Sequence, residues 1–201
     1  MKKGMIVGCS IAGGILLIIA IFVIWGIGTY NGLVSKNQEV DKAWSNVESQ
    51  YQRRYDLIPN LVNTVKGYAN FEKSVLIQVT DARASVGSVK VTKDILNDPA
   101  AFQKFEAAQG QLSGALSRLL VTVENYPDLK ANENFLELQA QLEGTENRIN
   151  IARIRFNSAV QGYNTMIKVF PGVIIANSFG FREKQYFKAV AGAENVPKVE
   201  F

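Results

Sequence analysis

Histidine is absent from this chain, and cysteine occurs once, at Cys9. The first absence removes every Ser-His and Cys-His nucleophile pair. The second rules out a disulfide within the chain. Together they withdraw the imidazole and thiolate donors of the usual zinc sites and the Glu-x-x-His pairs of di-iron bundles. A surplus of one charge is also lacking. The 22 Lys and Arg face 18 Asp and Glu, and with Lys2 and Lys3 set apart the remainder is nearly balanced. A pI near 9.1 is therefore no nucleic-acid footprint. The serines and lysines show no spacing that would make a Ser-Lys dyad. Glu143 and Glu146 form a carboxylate pair, but at helical spacing on a polar face, which is a solvated surface before it is an acid–base site. The chain fails the checklist for an active site, so it reads as a non-enzyme without a cofactor.

What the chain does have is a long uncharged run. After Lys2 and Lys3 no charge appears until Lys36, and Met5 to Trp25 is strongly apolar. At about 1.5 Å per residue such a helix crosses a hydrocarbon core of about 30 Å. Trp25 and Tyr30 fall where interfacial aromatics sit. Residues 5–27 are therefore read as a membrane span. The Ile6-Val7-Gly8-Cys9 stretch has the look of a lipoprotein box, but the apolar run follows the cysteine instead of preceding it. Gly26-Ile27-Gly28 could serve a signal peptidase, yet the run is long for a cleaved leader and the helical pattern continues past it, so retention is expected. Gly4, Gly8 and Ala12 lie four apart, a spacing that allows close helix approach or reflects only the commonness of glycine in such helices. Lys2 and Lys3 favour an inside amino terminus, placing the rest outside the cytoplasmic membrane.

Beyond the span, bulky apolar residues recur alternately every four and three positions. Leu33, Val40, Trp44, Val47, Tyr51, Ile58, Leu61, Val65, Tyr68, Val75, Val79 and Val86 share one column, with Asn37, Arg54 and Glu72 as its polar exceptions. Val62, Ala69 and Leu76 add a second column after Pro59. The repeat predicts one rod that continues, kinked, through Pro59, although a proline also suits the first position of a new helix. Gly87 to Asp98 breaks the pattern and is expected to connect. Asp98-Pro99 is a helix start, with Asp98 as cap and Pro99 at the first position. The helix so begun carries Phe102, Phe105, Gln109, Leu112, Leu116, Leu119 and Val123 and stops at Tyr126-Pro127. From Asn132 to Phe170 the column Leu138, Leu142, Thr145, Ile149, Ala152, Phe156, Ala159, Tyr163, Met166, Phe170 does not miss a step. The predicted fold is all-α: an amino-terminal transmembrane helix continuing into an antiparallel bundle of three to four long helices with coiled-coil-like packing. The expected organisation is a tail and span over 1–28, the bundle over 29–190 and an extended or disordered tail over 191–201. Arg182 to Val190 is expected to form a last short helix.

The run AWSNVESQYQRRYDLIPNLVNTVKGYANFEKSVLIQVTDARA resembles the LemA family, most recognisably in RRYDLIPNLV. The likeness continues through YPDLKANENFLELQAQLEGTENRINIARIRFNSAVQGYNTMIKVFPG and covers essentially all of the chain after the span. It implies a membrane-anchored helical bundle. It implies no reaction, because the family has no agreed biochemical activity; some members are associated with membrane remodelling or envelope organisation.

Two groups of residues are the candidate sites. Arg53, Arg54, Asp56, Glu72, Glu146, Arg148 and Arg153 lie on or beside the columns. They form either an internal ion-pair network that sets helix register or a polar pocket for an anion, a peptide or a partner's tail. Phe170, Val173, Ile174, Ile175, Phe179 and Phe181 make an apolar segment outside the columns, which either folds back on the bundle or is covered by another chain. The expected partners are the lipid bilayer, further copies of the chain and other envelope proteins, with no nucleic acid. The expected location is the bacterial cytoplasmic membrane, crossed once. Two functions compete: a self-associating scaffold, and a monomeric tethered adaptor.

Overall fold

The computed structural model describes residues 2–68, 71–89 and 93–188, with side chains from residue 13 on except those of residues 93 and 94. The expected tail over 191–201, Ala69, the side chain of Cys9 and the Gly4–Gly8–Ala12 spacing lie outside what is described. The regular elements of the described residues are all helices. Helix α1 runs from Lys2 to Lys66 and passes through Pro59 without ending. A proline there removes one backbone bond, and the buried neighbours Ile58, Leu61 and Val62 hold the helix through it.

The continuous rod does not persist to Val86. Gly67 N–H bonds the Thr64 carbonyl and Tyr68 N–H bonds the Val65 carbonyl, so the helix tightens and stops. Helix α2, Lys73–Ser88, then turns back, and its Val75, Leu76 and Val79 are buried in the same cluster as Val62 and Val65. The column kept its phase across this reversal because both arms face one core. Glu72 is therefore not on a seam. It sits exposed before α2, where its carbonyl accepts from Val75 N–H.

The connection after α2 includes a 3₁₀ turn, Lys93–Asn97, whose Ile95 and Leu96 are fully buried. Helix α3, Pro99–Val123, starts as expected: Asp98 Oδ1 accepts from Ala100 N–H at 2.9 Å and Ala101 N–H at 3.1 Å. A one-turn helix α4, Pro127–Lys130, leads to α5, Glu133–Lys168, capped by Asn132. Helices α2 and α3 pair along their lengths, from Phe71 beside Tyr126 to Val86 and Val89 near Phe105. Helices α1 and α5 form the most extensive pair. Their neighbours run in opposite order, Arg54 with Glu146, Trp44 with Phe156 and Trp25 with Phe170, so the pair is antiparallel.

Val173 to Phe181 folds back as α6, Gly172–Phe179, against α1 and α5. Gly172 approaches α5 so closely that a Cβ there would stand 1.9 Å from the Met166 carbonyl oxygen. Gly180, at φ +75°, ends α6 in the left-handed conformation that glycine takes without penalty. No last helix follows over 182–188. The described residues 181–188 form an extended strap instead, for a reason that lies in α5 and is given below. Phe170 lies past the end of α5 and is 72% exposed, so the α5 seam closes before it.

The core has two parts. One joins Leu33 to Tyr51 with Phe102, Phe105, the α5 residues Ile149 to Ile167, Ala176 and Phe187. The other joins Ile58 to Val79 with Leu112 to Val123, Leu129, Phe135 and Leu142. The gap in α1 between Tyr51 and Ile58 is occupied by Arg54.

Candidate functional site

Arg54 reaches the interior because its position continues the buried column of α1, where only 2% of it remains exposed. A guanidinium so placed needs acceptors on all sides. Nη1 donates to Glu146 Oε2 at 2.9 Å and to Ser113 Oγ at 2.7 Å. Nη2 donates to the side-chain and backbone oxygens of Gln109. The guanidinium carbon also stands 5.1 Å from the centre of the Tyr51 ring. Nε is buried without a partner. One arginine thus ties α1 to α3 and α5 at a single level, between the two apolar clusters. Glu146 is half exposed, so water reaches the layer at that edge.

Arg153 makes a separate cluster. It lies 4.6 Å over the Phe187 ring, donates to the Lys188 carbonyl at 3.2 Å and stands 3.8 Å from Glu106. Glu106 in turn accepts from Lys188 N–H. Burial raises the Glu106 carboxyl above its ordinary pKa, against the pull of that N–H and of Arg153. Tyr51 is raised likewise by burial, despite Arg153 and Arg54.

The other charges of the expected network do not join it. Arg53 and Asp56 are exposed, and Asp56 accepts from Gln52 one turn back. With Ser45, Ser49, Asn60 and Gln141 they border an open groove of about 820 Å³. Arg148 is exposed on the outer side of α5. The physical reason is angular. Positions 53 and 56 lie beside 54 in sequence but about 100° and 200° away around the helix. Glu72 is separated from all of them by the turn at Gly67.

The strap is held by asparagines that periodicity did not single out. Asn164 Oδ1 accepts from Lys184 N–H and its Nδ2 donates to the Lys184 carbonyl, at 3.0 and 2.9 Å. Asn157 does the same for Phe187, at 3.0 and 2.9 Å. Each amide stands in for a neighbouring strand. Seven residues of helix rise about 10.5 Å and three of extended chain about 10 Å, so amides one heptad apart meet backbone groups three residues apart. That is why 182–188 is extended and not helical. Asn164→Ala strands two backbone groups, and we expect it to cost about 2 kcal/mol. Thermal unfolding of the full-length chain in detergent measures the loss, and trypsin should then cut at Lys184 or Lys188 under conditions that spare the parent. An unchanged digestion pattern would mean the amide clamp does not hold the strap.

Near the foot of the bundle Lys184 is buried on a groove shared with Asn37, Asp41, Tyr163 and Arg182. Burial lowers its pKa from the ordinary lysine value, and Asp41 opposes that shift. Of the apolar segment, Val173, Ile175 and Phe181 are half-buried on the bundle. Phe170, Ile174 and Phe179 are exposed, at 72%, 53% and 64%. Among the described residues no three His, Cys, Asp or Glu side chains group as a metal site. One described helix, α1, is long and apolar enough to cross a membrane.

The chain is 29% identical over 174 residues to magnetosome protein MamQ of Magnetospirillum gryphiswaldense (strain DSM 6361 / JCM 21280 / NBRC 15271 / MSR-1), covering 79% of this chain and 64% of the relative. Magnetosome protein MamQ 2 of Paramagnetospirillum magneticum (strain ATCC 700264 / AMB-1) is 28% identical over 175 residues, with the same 79% and 64% coverage. The chain thus spans somewhat less than two thirds of these relatives' length. Protein LemA of Metamycoplasma hominis (strain ATCC 23114 / DSM 25592 / NBRC 14850 / NCTC 10111 / PG21) is 25% identical over 174 residues, covering 87% of this chain and 75% of the relative. None of these names is that of an enzyme. Residues 43–201, which take in the arginine layer, the asparagine clamps and α6, match the profile of the LemA family, and the chain belongs to that family.

Proposed function

We propose that this protein is a membrane-anchored scaffold of the bacterial cytoplasmic membrane, with its amino terminus inside and its bundle outside, which self-associates to organise the envelope or remodel the membrane. The single observation that carries the reading is the continuity of α1, 65 residues without a break from the apolar segment to the top of the bundle. A flexible linker would let the bundle tumble. A helix instead transmits orientation, so copies anchored in one membrane hold their bundles at one height and in one posture. Tethering in a plane also raises the effective concentration for contacts between copies. The MamQ relatives are named for a cellular structure, the magnetosome, and not for a reaction. That supports a structural role, and other envelope proteins are the natural further partners.

The test is the mass of the full-length protein in mild detergent, by light scattering after size separation. A discrete multiple of the 22.2 kDa chain is expected. A monomer at every workable concentration would overturn the scaffold. It would favour a tethered adaptor acting through the groove beside Arg53 and Asp56, where both charges are exposed and open to a peptide or an anion.

A further inference from the structure

Exposed large apolar side chains are scattered over the bundle at Ile77, Val121, Leu136, Ile151 and Ile154, but they form a contiguous group only at the membrane-proximal end. There they line α1 from Ile15 to Ile27, and they resume on the neighbouring segment at Val169, Phe170, Ile174 and Phe179. These two stretches touch. The Phe170 ring lies 5.8 Å from Trp25, the Phe179 ring lies 4.9 Å from Tyr30, and Ile175 packs at Gly26. Both stretches are also free of charge. In α1 none occurs between Lys3 and Lys36, and in the second none occurs between Lys168 and Arg182. Lys168 pairs with Glu183 at 2.6 Å, marking the level at which ordinary charged surface resumes.

We propose that the end of α5 and α6 form a second membrane contact, with Phe170, Ile174 and Phe179 seated in the interfacial layer of the leaflet that α1 enters. The inference rests on reading α1 as a membrane span. The dimensions agree. From Trp25 to Tyr30 α1 rises about 7.5 Å, and the polar layer on each side of the hydrocarbon is about 5–8 Å thick. Helices that lie in this layer bury their apolar face by about 5–10 Å. Asn177 and Ser178, exposed on α6 beside Ile174, suit a zone of headgroups and water better than a dry interface. A second copy of the chain is the weaker occupant, because a stable protein interface buries about 800 Å² on each side, more than four partly covered side chains supply. An element seated in one leaflet occupies area that the opposite leaflet does not match. The contact therefore gives the proposed remodelling a physical means.

The test uses the full-length chain with Cys9→Ser, so that single cysteines introduced as Ile174→Cys, Phe179→Cys, Ile18→Cys or Ile154→Cys are the only labelling sites. Each variant carries an environment-sensitive fluorophore in phosphatidylcholine–phosphatidylglycerol vesicles at low protein-to-lipid ratio. Labels at 174 and 179 should be quenched several-fold more by a lipid bearing a shallow nitroxide than the label at 154, and less by aqueous iodide. Ile154 is exposed on α5 well up the bundle and serves as the water reference. Labels at 174 and 179 that follow 154, while 18 is quenched by lipid, would overturn the second contact and leave the span intact. A label at 18 that follows 154 would overturn the membrane reading itself. Iodide protection at 174 and 179 that lacks lipid quenching and vanishes on dilution would assign the patch to another copy and also overturn the proposal.

Discussion

Arg54→Met is expected to destabilise the full-length protein by about 3 kcal/mol, measured by guanidinium unfolding in detergent. The loss arises from what the arginine leaves behind. Gln109, buried on α3, loses the donor to its side-chain oxygen, and a stranded acceptor costs about 1–3 kcal/mol, while its backbone oxygen keeps the helix bond. Glu146 adds less, since it is half exposed and regains water. Glu146→Gln should therefore cost only about 1 kcal/mol, because the amide oxygen still accepts from Nη1. The double variant Arg54→Met, Gln109→Leu should recover at least half of the single variant's loss, by turning the layer apolar and joining the two clusters. Equal losses for Arg54→Met and Glu146→Gln would place the energy in the ion pair and refute this account. An Arg54 variant with unchanged stability that no longer bound a partner would make the layer a binding site.

Trp44→Ala is expected to cost about 4 kcal/mol, the range for truncating a buried tryptophan. Four rings from three elements surround it: Phe102 and Phe105 of α3, Phe156 of α5 and Phe187 of the strap, at centroid distances of 5.4 to 6.1 Å. Its ring contacts join α1 to α3, α5 and the strap at one point, so the cavity would loosen all four. Trp44→Phe should cost well under half as much. It keeps most of the ring contacts and removes an indole N–H that is buried without a partner. Thermal unfolding ranks the variants, and Trp25, the remaining tryptophan, provides a control signal from the membrane-proximal end. A Phe variant as unstable as the Ala variant would mean that the indole N–H has a partner in solution.

The spacing of apolar residues made most of the long helices legible. Every column position of α1 from Leu33 to Val65 is buried except Asn37, which is partly covered and bonds Asp41. The same arithmetic misplaced the end of that helix. Tyr68 and Glu72 kept the phase while the chain turned between them, because α2 reuses the core face that α1 presents. The candidate network was legible in part. Arg54 stood out as a charge on an apolar column, and its neighbours Arg53 and Asp56 were carried along by proximity in sequence, although the helix turns them to water. Asn157 and Asn164 carried a weak signal, amides one heptad apart, which has no meaning until an extended segment is known to lie beside them.

What the sequence alone determined is what local periodicity and composition can encode: an uncharged span-length run, the buried faces of α1, α3 and α5, the Asp98 cap, and the absence of histidine and of a cysteine pair. Only the tertiary structure decided which distant groups meet. Arg54 and Glu146 are 92 residues apart and Asn157 and Phe187 are 30 apart, and no local rule joins them. A helical face follows from neighbours three and four residues away. The partner of a buried charge, or of an unpaired backbone N–H, follows from how whole elements stack, and that is fixed by the collective burial of both clusters.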